Sequence, residues 1–479
     1  MLSAALRRLH LQGILPTGAL LILSACGGGG SAAGFGPEAA SLALVASSSQ
    51  SEPAQPESPA VHQPVPGKKP ASHAVGGTIV DLKSDGLVLQ NMGGDDLKIP
   101  PEATSFSFST PVAEHGAFSV SIRSQPAGWK QACRVDSPAG VIEDHDVTTV
   151  RVICTEAHTK TTFLAGGAEQ PGSSNGVGTQ ASFDTPQGIA IDSKGNLYVV
   201  DQGNAMIRKV TPQGEVSTVA GSLTRGHSNG VGVAATFNDP RAIAIDRHDN
   251  LYVADDNSVR KITPQNEVTT LAGSSDGDWK DAAGTDARFW NVYGIAVDGN
   301  DDIYVVDQGN AAIRKITPNG VVTTMTGRLS TGTSIDGPVE QATFVKPEWI
   351  AIGPSGTLYV TEEDRIRKIS NGSVSTVTAP DGSTLSIYAS AIAAGRDGTV
   401  YVAQAWSPPS DLRIKILELS PTGAISTLND FAGGPVRPTL YYPFCASLAI
   451  DARDALYVGI CKNGSIQKLE PVASPSSPS

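Results

Sequence analysis

The 479-residue chain is poor in aromatic side chains (5%), in histidine (8) and in cysteine (5), and its acids outnumber its bases, 47 to 35. Each shortage excludes something. A net charge of −12 provides no concentrated basic surface for phosphates, and few rings are on offer for stacking bases, so nucleic acid is set aside as a partner. The apolar stretch near the N-terminus, residues 11–23 interrupted by Pro16, is shorter than the ~20 residues that a membrane-spanning helix needs. What abounds is glycine (51) and proline (32), so a chain of this length reads as two or more turn-rich units.

Arg7 and Arg8 precede the apolar stretch, and Leu23-Ser24-Ala25-Cys26 follows it. A positive n-region, a short apolar h-region and small residues at a cleavage point make residues 1–25 a secretory signal. The Leu-Ser-Ala-Cys ending resembles the lipobox of bacterial lipoproteins. That resemblance implies acylation of Cys26, which becomes the first residue of the mature chain. Gly27 stands where an aspartate would retain such a protein in the inner membrane. The resemblance therefore implies the outer membrane, with the protein facing the periplasm or the exterior. Residues 26–75 are Gly, Ser, Ala, Pro and Gln with little hydrophobic periodicity. Such a segment cannot bury enough surface to offset its ordering entropy, and it reads as a disordered tether with a reach of about 40 Å.

With Cys26 set apart, Cys133, Cys154, Cys445 and Cys461 remain. Beyond the inner membrane such thiols oxidise, and four permit three connectivities. Proximity favours Cys133 with Cys154 and Cys445 with Cys461. The competing zinc site lacks Cys-x₂-Cys spacing. Residues 76–157 carry short alternating runs at 77–80, 87–89, 106–108, 118–122 and 147–152, the pattern of half-buried antiparallel strands. They predict a small β-sandwich, which resembles the Ig-like modules placed after the tether in bacterial surface lipoproteins. Its one dense polar cluster, Glu143-Asp144-His145-Asp146, reads as a solvated turn.

From about residue 161 the chain repeats itself. Gly188-Ile189-Ala190-Ile191-Asp192, Leu197-Tyr198-Val199-Val200-Asp201, Ile207-Arg208-Lys209 and Thr218-Val219-Ala220-Gly221 return in the same order around Tyr252 and Tyr304, and more weakly around Tyr359, Tyr401 and Tyr457. Each copy holds four short strands, the content of one propeller blade, so six blades are expected over residues 161–470. The last copy has a third strand at 466–469 and no fourth before a Ser/Pro tail at 471–479, expected to be disordered. Thr161-Thr162-Phe163-Leu164-Ala165-Gly166 matches the missing fourth strand and would close the ring. The pattern resembles the NHL repeat family, whose fold serves ligases' targeting domains, sensors, lyases and plain binding modules. The expected fold class is all-β: a six-bladed propeller after a small sandwich and a tether.

Four acids, Asp201, Asp255, Asp307 and Glu362, recur with Arg208, Arg260, Arg314 and Arg367. Recurrence in four blades suits a structural carboxylate better than four copies of a catalytic acid. The residue just before the inner-strand motif varies instead: Gln187, Arg241, Tyr293, Glu348, Ser390 and Ala446. The innermost strand of a blade borders the central channel, so the first five are the candidate ligand-binding residues of a solvated channel mouth, Arg241 offering a fork for carboxylate or phosphate. Enzymatic relatives in the resembled family use a histidine cluster and a metal, whereas the repeats hold only His227 and His248. Asp276-Gly277-Asp278 and Asp298-Gly299-Asn300-Asp301-Asp302 invite calcium, but EF-hand spacing fails at Ala287 and Asx turns account for both loops. No Gly-x-Ser-x-Gly elbow, P-loop or Cys/His nucleophile pair occurs in the repeats.

These readings converge on a monomeric, lipid-anchored envelope module without a cofactor, calcium being the one ion the loops suggest, that binds a protein or small ligand through the propeller face. The alternative is a lactonase- or lyase-like enzyme with a divalent metal at the channel mouth. The anchor is directly testable: Cys26→Ser should abolish palmitate labelling and release the protein from the membrane fraction, and continued labelling would refute the lipobox reading.

Overall fold

The structure, a computed structural model, describes residues 71–167, 171–327, 332–353, 355–406, 413–432, 446–461 and 463–473, all within the compact unit Lys68–Ser479. Cys26, most of the expected tether, Cys445 with its expected bridge to Cys461, and residues 474–479 lie outside the described residues. No helix among those described is long and apolar enough to cross a membrane.

Six antiparallel sheets follow one another along the chain, each ordered first to fourth strand from the inside outward. In blade 1 the strands are Pro186–Ile191, Leu197–Asp201, Met206–Val210 and Glu215–Gly221. The innermost strands Pro186–Ile191, Pro240–Ile245, Val292–Val297, Pro347–Ile352, Ala389–Ala394 and Ala446–Ile450 touch in sequence, and the last touches the first. The ring is closed, and the fold is a six-bladed β-propeller.

Blades form where the sequence alternates. In Leu197-Tyr198-Val199-Val200 the leucine and valines are buried between neighbouring sheets, which is where period-two side chains go when both faces are covered. The fourth strand ends on a glycine at φ +85° in blade 1, +90° in blade 2 and +83° in blade 3. A Cβ on Gly221, Gly273 or Gly327 would stand 2.4 Å from the carbonyl oxygen of Ala205, Asn257 or Ala311. Only glycine meets both conditions.

Gly166, at φ +86°, repeats that corner. It ends the strand Val147–Gly166, 20 residues long, which pairs antiparallel with Ser465–Ala473 from Gly166 opposite Ser465 to Ala157 opposite Ala473. Residues 161–166 thus supply the fourth strand of blade 6. The pairing runs further than the sequence indicated: the last strand extends to Ala473, so residues 471–473 are not a tail. Pro471 faces Thr159 there, and the partner strand continues past Thr159 back to Val147, offering backbone groups to pair with.

The same long strand belongs to the N-terminal module, pairing parallel with Val75–Val80 and antiparallel with Gln131–Asp136. A second sheet of Val88–Asn91, Asp95–Lys98, Ala117–Ser124 and Ala139–Val141 closes over a core that includes Ile79, Leu89, Phe106, Phe118, Val120, Val150 and Val152. This is a two-sheet sandwich. It begins before residue 76: Ser72–His73 pairs with Val112–Ala113, the Ala74 amide donates to Asp146, and Val75 is fully buried. Cys133 and Cys154 are bridged, linking neighbouring strands of one sheet.

No linker separates sandwich from propeller. Trp129 of the sandwich is buried among Ala391, Tyr401, Ile416, Leu448 and Leu456 of blades 5 and 6, and its indole N–H donates to the Asp454 carbonyl. Blade 5 departs from the repeat here. Ile416, Leu417, Glu418 and Leu419 replace the Ile-Arg-Lys strand, and all four are buried. Trp129→Ala should therefore cost about 3–5 kcal/mol and lower the melting temperature of the propeller signal itself; an unchanged melt would show the two units to be independent.

Candidate functional site

Five isoleucines and a leucine, one from the middle of each innermost strand, ring the channel: Ile189, Ile243, Ile295, Ile350, Ile392 and Leu448, each 6–7% exposed. Above them is a cavity of about 130 Å³ that Gln187, Trp349 and Ser447 also line. The channel is narrow and mostly aliphatic, and its polar groups are few.

The five candidate mouth residues do not form a uniform solvated rim. Gln187 is 3% and Arg241 7% exposed, while Tyr293, Glu348 and Ser390 are half-buried. Blades 1 to 4 link into one chain of contacts. The Gln187 amide donates to Gln202 Oε1 (3.1 Å) and the Gln202 amide to Asp239 Oδ1 (2.7 Å). Arg241 Nη2 donates to Asp239 Oδ2 at 2.6 Å, and its guanidinium lies 4.5 Å from the Tyr293 ring centroid. Tyr293 in turn meets Trp349 edge to face at 5.5 Å. Burial pushes the Glu348 carboxyl above its usual range, while Lys346 and Arg241 draw it back down and Glu363 adds to the rise. Ser390 stands apart and donates to its own blade's Ala403 carbonyl.

Arg241 is thus already spent on Asp239 and Tyr293, which the sequence reading missed because one partner lies in another blade. Two further residues were missed. Trp349 and Ser447 occupy the motif position that is Gly188, Ala242, Gly294 and Ala391 in the other blades. Comparing every position of the repeat, rather than the one before it, would have marked both.

The recurrent acids are structural. Arg208, Arg260, Arg314 and Arg367 are fully buried, each pairing through Nη1 with Asp201, Asp255, Asp307 or Glu362. Each guanidinium also donates to two backbone carbonyls, such as Ser182 and Ser174 for Arg208, and lies over Phe183, Phe237, Phe289 or Phe344. Asp255 also accepts the amides of Asn238 and Asp239, which joins this unit to the mouth. Burial pushes Asp201 and Asp255 up to about 6 against the pull of hydrogen bonds and their arginines.

The Asp-rich turns are likewise occupied. Asp298 accepts the amides of Asn300 and Asp302 through one oxygen and the Tyr304 hydroxyl through the other, and Asp246 does the same with His248, Asn250 and Tyr252. Among the described residues two groups could gather three metal ligands: Glu143 with Asp144 and His145, and Asp246 with His248 and Asp301. Neither lies at the mouth, and Arg247 already pairs with Asp301. His227 stays 3.9 Å from both Asp255 and Asp256. A larger cavity of about 520 Å³ lies between sandwich and propeller, where Arg396 is held by Asp454 and Ser124.

No family model matches the chain. It is 29% identical to teneurin-3 of Danio rerio over 225 residues, 40% of this chain and 8% of that protein. It is 33% identical to NHL repeat-containing protein 2 of Bos taurus over 146 residues, 28% of this chain and 20% of that one. The chain therefore spans under a tenth of the first of these relatives. Among solved structures, streptogramin B lyase superposes with a TM-score of 0.41 at 13% identity, covering 65% of this chain and 98% of that one. Likeness of this order says nothing about substrate.

Removing one partner of a fully buried ion pair leaves an uncompensated charge and costs about 3–5 kcal/mol. Arg260→Ala should therefore unfold the protein at distinctly lower denaturant, whereas Arg247→Ala, an exposed side chain, should shift stability by no more than about 0.5 kcal/mol. Equal stabilities would overturn the structural role given to the recurrent pairs.

Proposed function

We propose that the chain is a lipid-anchored envelope module that binds a small ligand, or the small end of a larger one, at the channel mouth of blades 1 to 4. The observation that carries this reading is the channel-mouth cavity of about 130 Å³, whose wall holds Trp349 beside Gln187 and Ser447, with Tyr293 packed edge to face against Trp349. Gln187 and Ser447 bring the polar residues of that wall, in a ring of otherwise aliphatic side chains. A concave, mostly apolar pocket with a few polar residues is the usual form of a small-molecule site.

The signal, lipobox and tether agree with this reading. In this reading the propeller lies beyond the inner membrane, with Cys26 as its lipid attachment. An enzyme with a mouth-bound divalent ion agrees less well. Glu348 is the one carboxylate among the five mouth positions, and the neighbouring Asp239 is engaged by Arg241 and Gln202.

A thermal-shift screen of small metabolites against the wild type, Glu348→Gln and Tyr293→Ala tests the site. Ligands of the mouth should raise the wild-type melting point and lose most of that effect in both variants. Ligands that stabilise all three proteins equally would move binding off the mouth. Melting that falls on adding a chelator, together with stoichiometric metal by elemental analysis, would favour the enzyme.

A further inference from the structure

We propose a second binding site, at the far end of the channel from the mouth: the turn between the first and second strands of blade 4 takes the carboxylate of a small aliphatic acid. The site is separate from the channel-mouth reading and does not rest on it. What points to it is a difference between repeats. In blades 1, 2, 3 and 6 this turn opens with an aspartate, and the turn holds that carboxylate with its own donors. Asp192 accepts the amides of Lys194 (2.9 Å) and Asn196 (2.8 Å), and the Tyr198 hydroxyl lies 3.5 Å away. Asp246 and Asp298 are held in the same way. Asp451 accepts the Arg453 and Ala455 amides and the Tyr457 hydroxyl at 2.8, 3.0 and 3.1 Å.

Blades 4 and 5 have glycine at this position, Gly353 and Gly395. Blade 5 makes good the loss, because Asp397, two residues on, accepts the Thr399 amide (2.9 Å) and hydroxyl (2.8 Å). Blade 4 has Ser355 there instead. The amides of Ser355 and Thr357 and the Tyr359 hydroxyl thus occupy the positions that hold a carboxylate in the other blades, with no acceptor among the described residues. Burial alone raises the Tyr359 hydroxyl, whereas a facing aspartate adds to the rise at Tyr198, Tyr252, Tyr304 and Tyr457.

The turn is also open where a carboxylate would sit. A Cβ on Gly353 would have only the Tyr359 ring (3.6 Å) and the Thr357 carbonyl oxygen (3.7 Å) within 4 Å, apart from its chain neighbours. On Gly395 it would stand 3.0 Å from the Asp397 carboxylate. Gly353 and Gly356 line a cavity of about 290 Å³ between the turns of blades 3, 4 and 5, with Val297, Ile352 and Ala394 as its apolar wall. A cavity of about 150 Å³ admits benzene, so an aliphatic chain of several carbons has room here. Donors alone call for a group that accepts, and two amides with a hydroxyl suit the two oxygens of a carboxylate. Arg396, on the same wall, is paired with Asp454 and Ser124. Asp298 lines the cavity too, and its repulsion grows with the charge of the ligand, which favours a monoanion over phosphate.

Calorimetric titration of the full chain with butyrate tests this, against butylamine, 1-butanol and inorganic phosphate. Butyrate should bind saturably, and the amine and alcohol should not. Gly353→Asp gives blade 4 the carboxylate of the other repeats, so it should abolish butyrate binding and raise the melting temperature. Tyr359→Phe should weaken butyrate about tenfold, the loss of one charge-assisted hydrogen bond, whereas Tyr198→Phe, whose hydroxyl serves Asp192, should leave it unchanged. Melting curves verify folding, and Tyr359→Phe carries the test should Gly353→Asp fail to fold. No butyrate binding, or binding indifferent to both blade 4 variants, would overturn the proposal. Phosphate bound in place of butyrate would overturn the carboxylate assignment, and butyrate binding lost in Glu348→Gln would move the ligand to the mouth. The mouth reading stands or falls on its own screen, whatever blade 4 does.

Discussion

The pairing of Val147–Gly166 with Ser465–Ala473 is the interaction on which the rest depends. A propeller ring has no covalent closure, and its first and last blades would each present an open face if no strand crossed the seam. Here the crossing strand is borrowed from upstream and is anchored at its other end in the core of a second unit, with Val150 and Val152 buried there. Opening the ring would therefore require either tearing the strand from the sandwich or dragging the sandwich along. The bridge between Cys133 and Cys154 ties this same strand to its neighbour Gln131–Asp136, so the seam is reinforced where it leaves the propeller.

Within the ring, a second device repeats. Each buried arginine of blades 1 to 4 joins the second strand's acid, two loop carbonyls and a phenylalanine ring, so the loop before each innermost strand is pinned to its own blade. The loop bonded to Asp255 runs directly into Pro240 and Arg241. Mouth side chains are thus set on rigid strands backed by buried ion pairs, and a site built in this way needs little reordering when a ligand arrives.

Much of this was legible because a repeat compares itself. The six tyrosines, the glycine that ends the fourth strand of blades 1, 2, 3 and 6 and the acid–arginine spacing emerge from one sequence without any relative. What stayed hidden are relations between blades. Arg241 looks like an open fork until Asp239 and Tyr293 are seen around it. Blade 5 looks eroded at Leu417 and Glu418 until the sandwich is found to cover it, with Trp129 placed among its core residues. The boundary expected near residues 157–161 does not exist, because alternation cannot tell one long strand from two short ones in register.

The shared strand has a geometric consequence. Six similar blades could in principle be rotated by one sixth of a turn relative to anything attached to them with little change in local packing. Because one strand belongs to both units, and Trp129 enters only between blades 5 and 6, that freedom is gone. Each blade holds a fixed azimuth with respect to the sandwich. Trp349 and Gln187, three blades apart, face one another across the channel at an angle the fold has set, and a pseudo-symmetric ring acquires a front and a back.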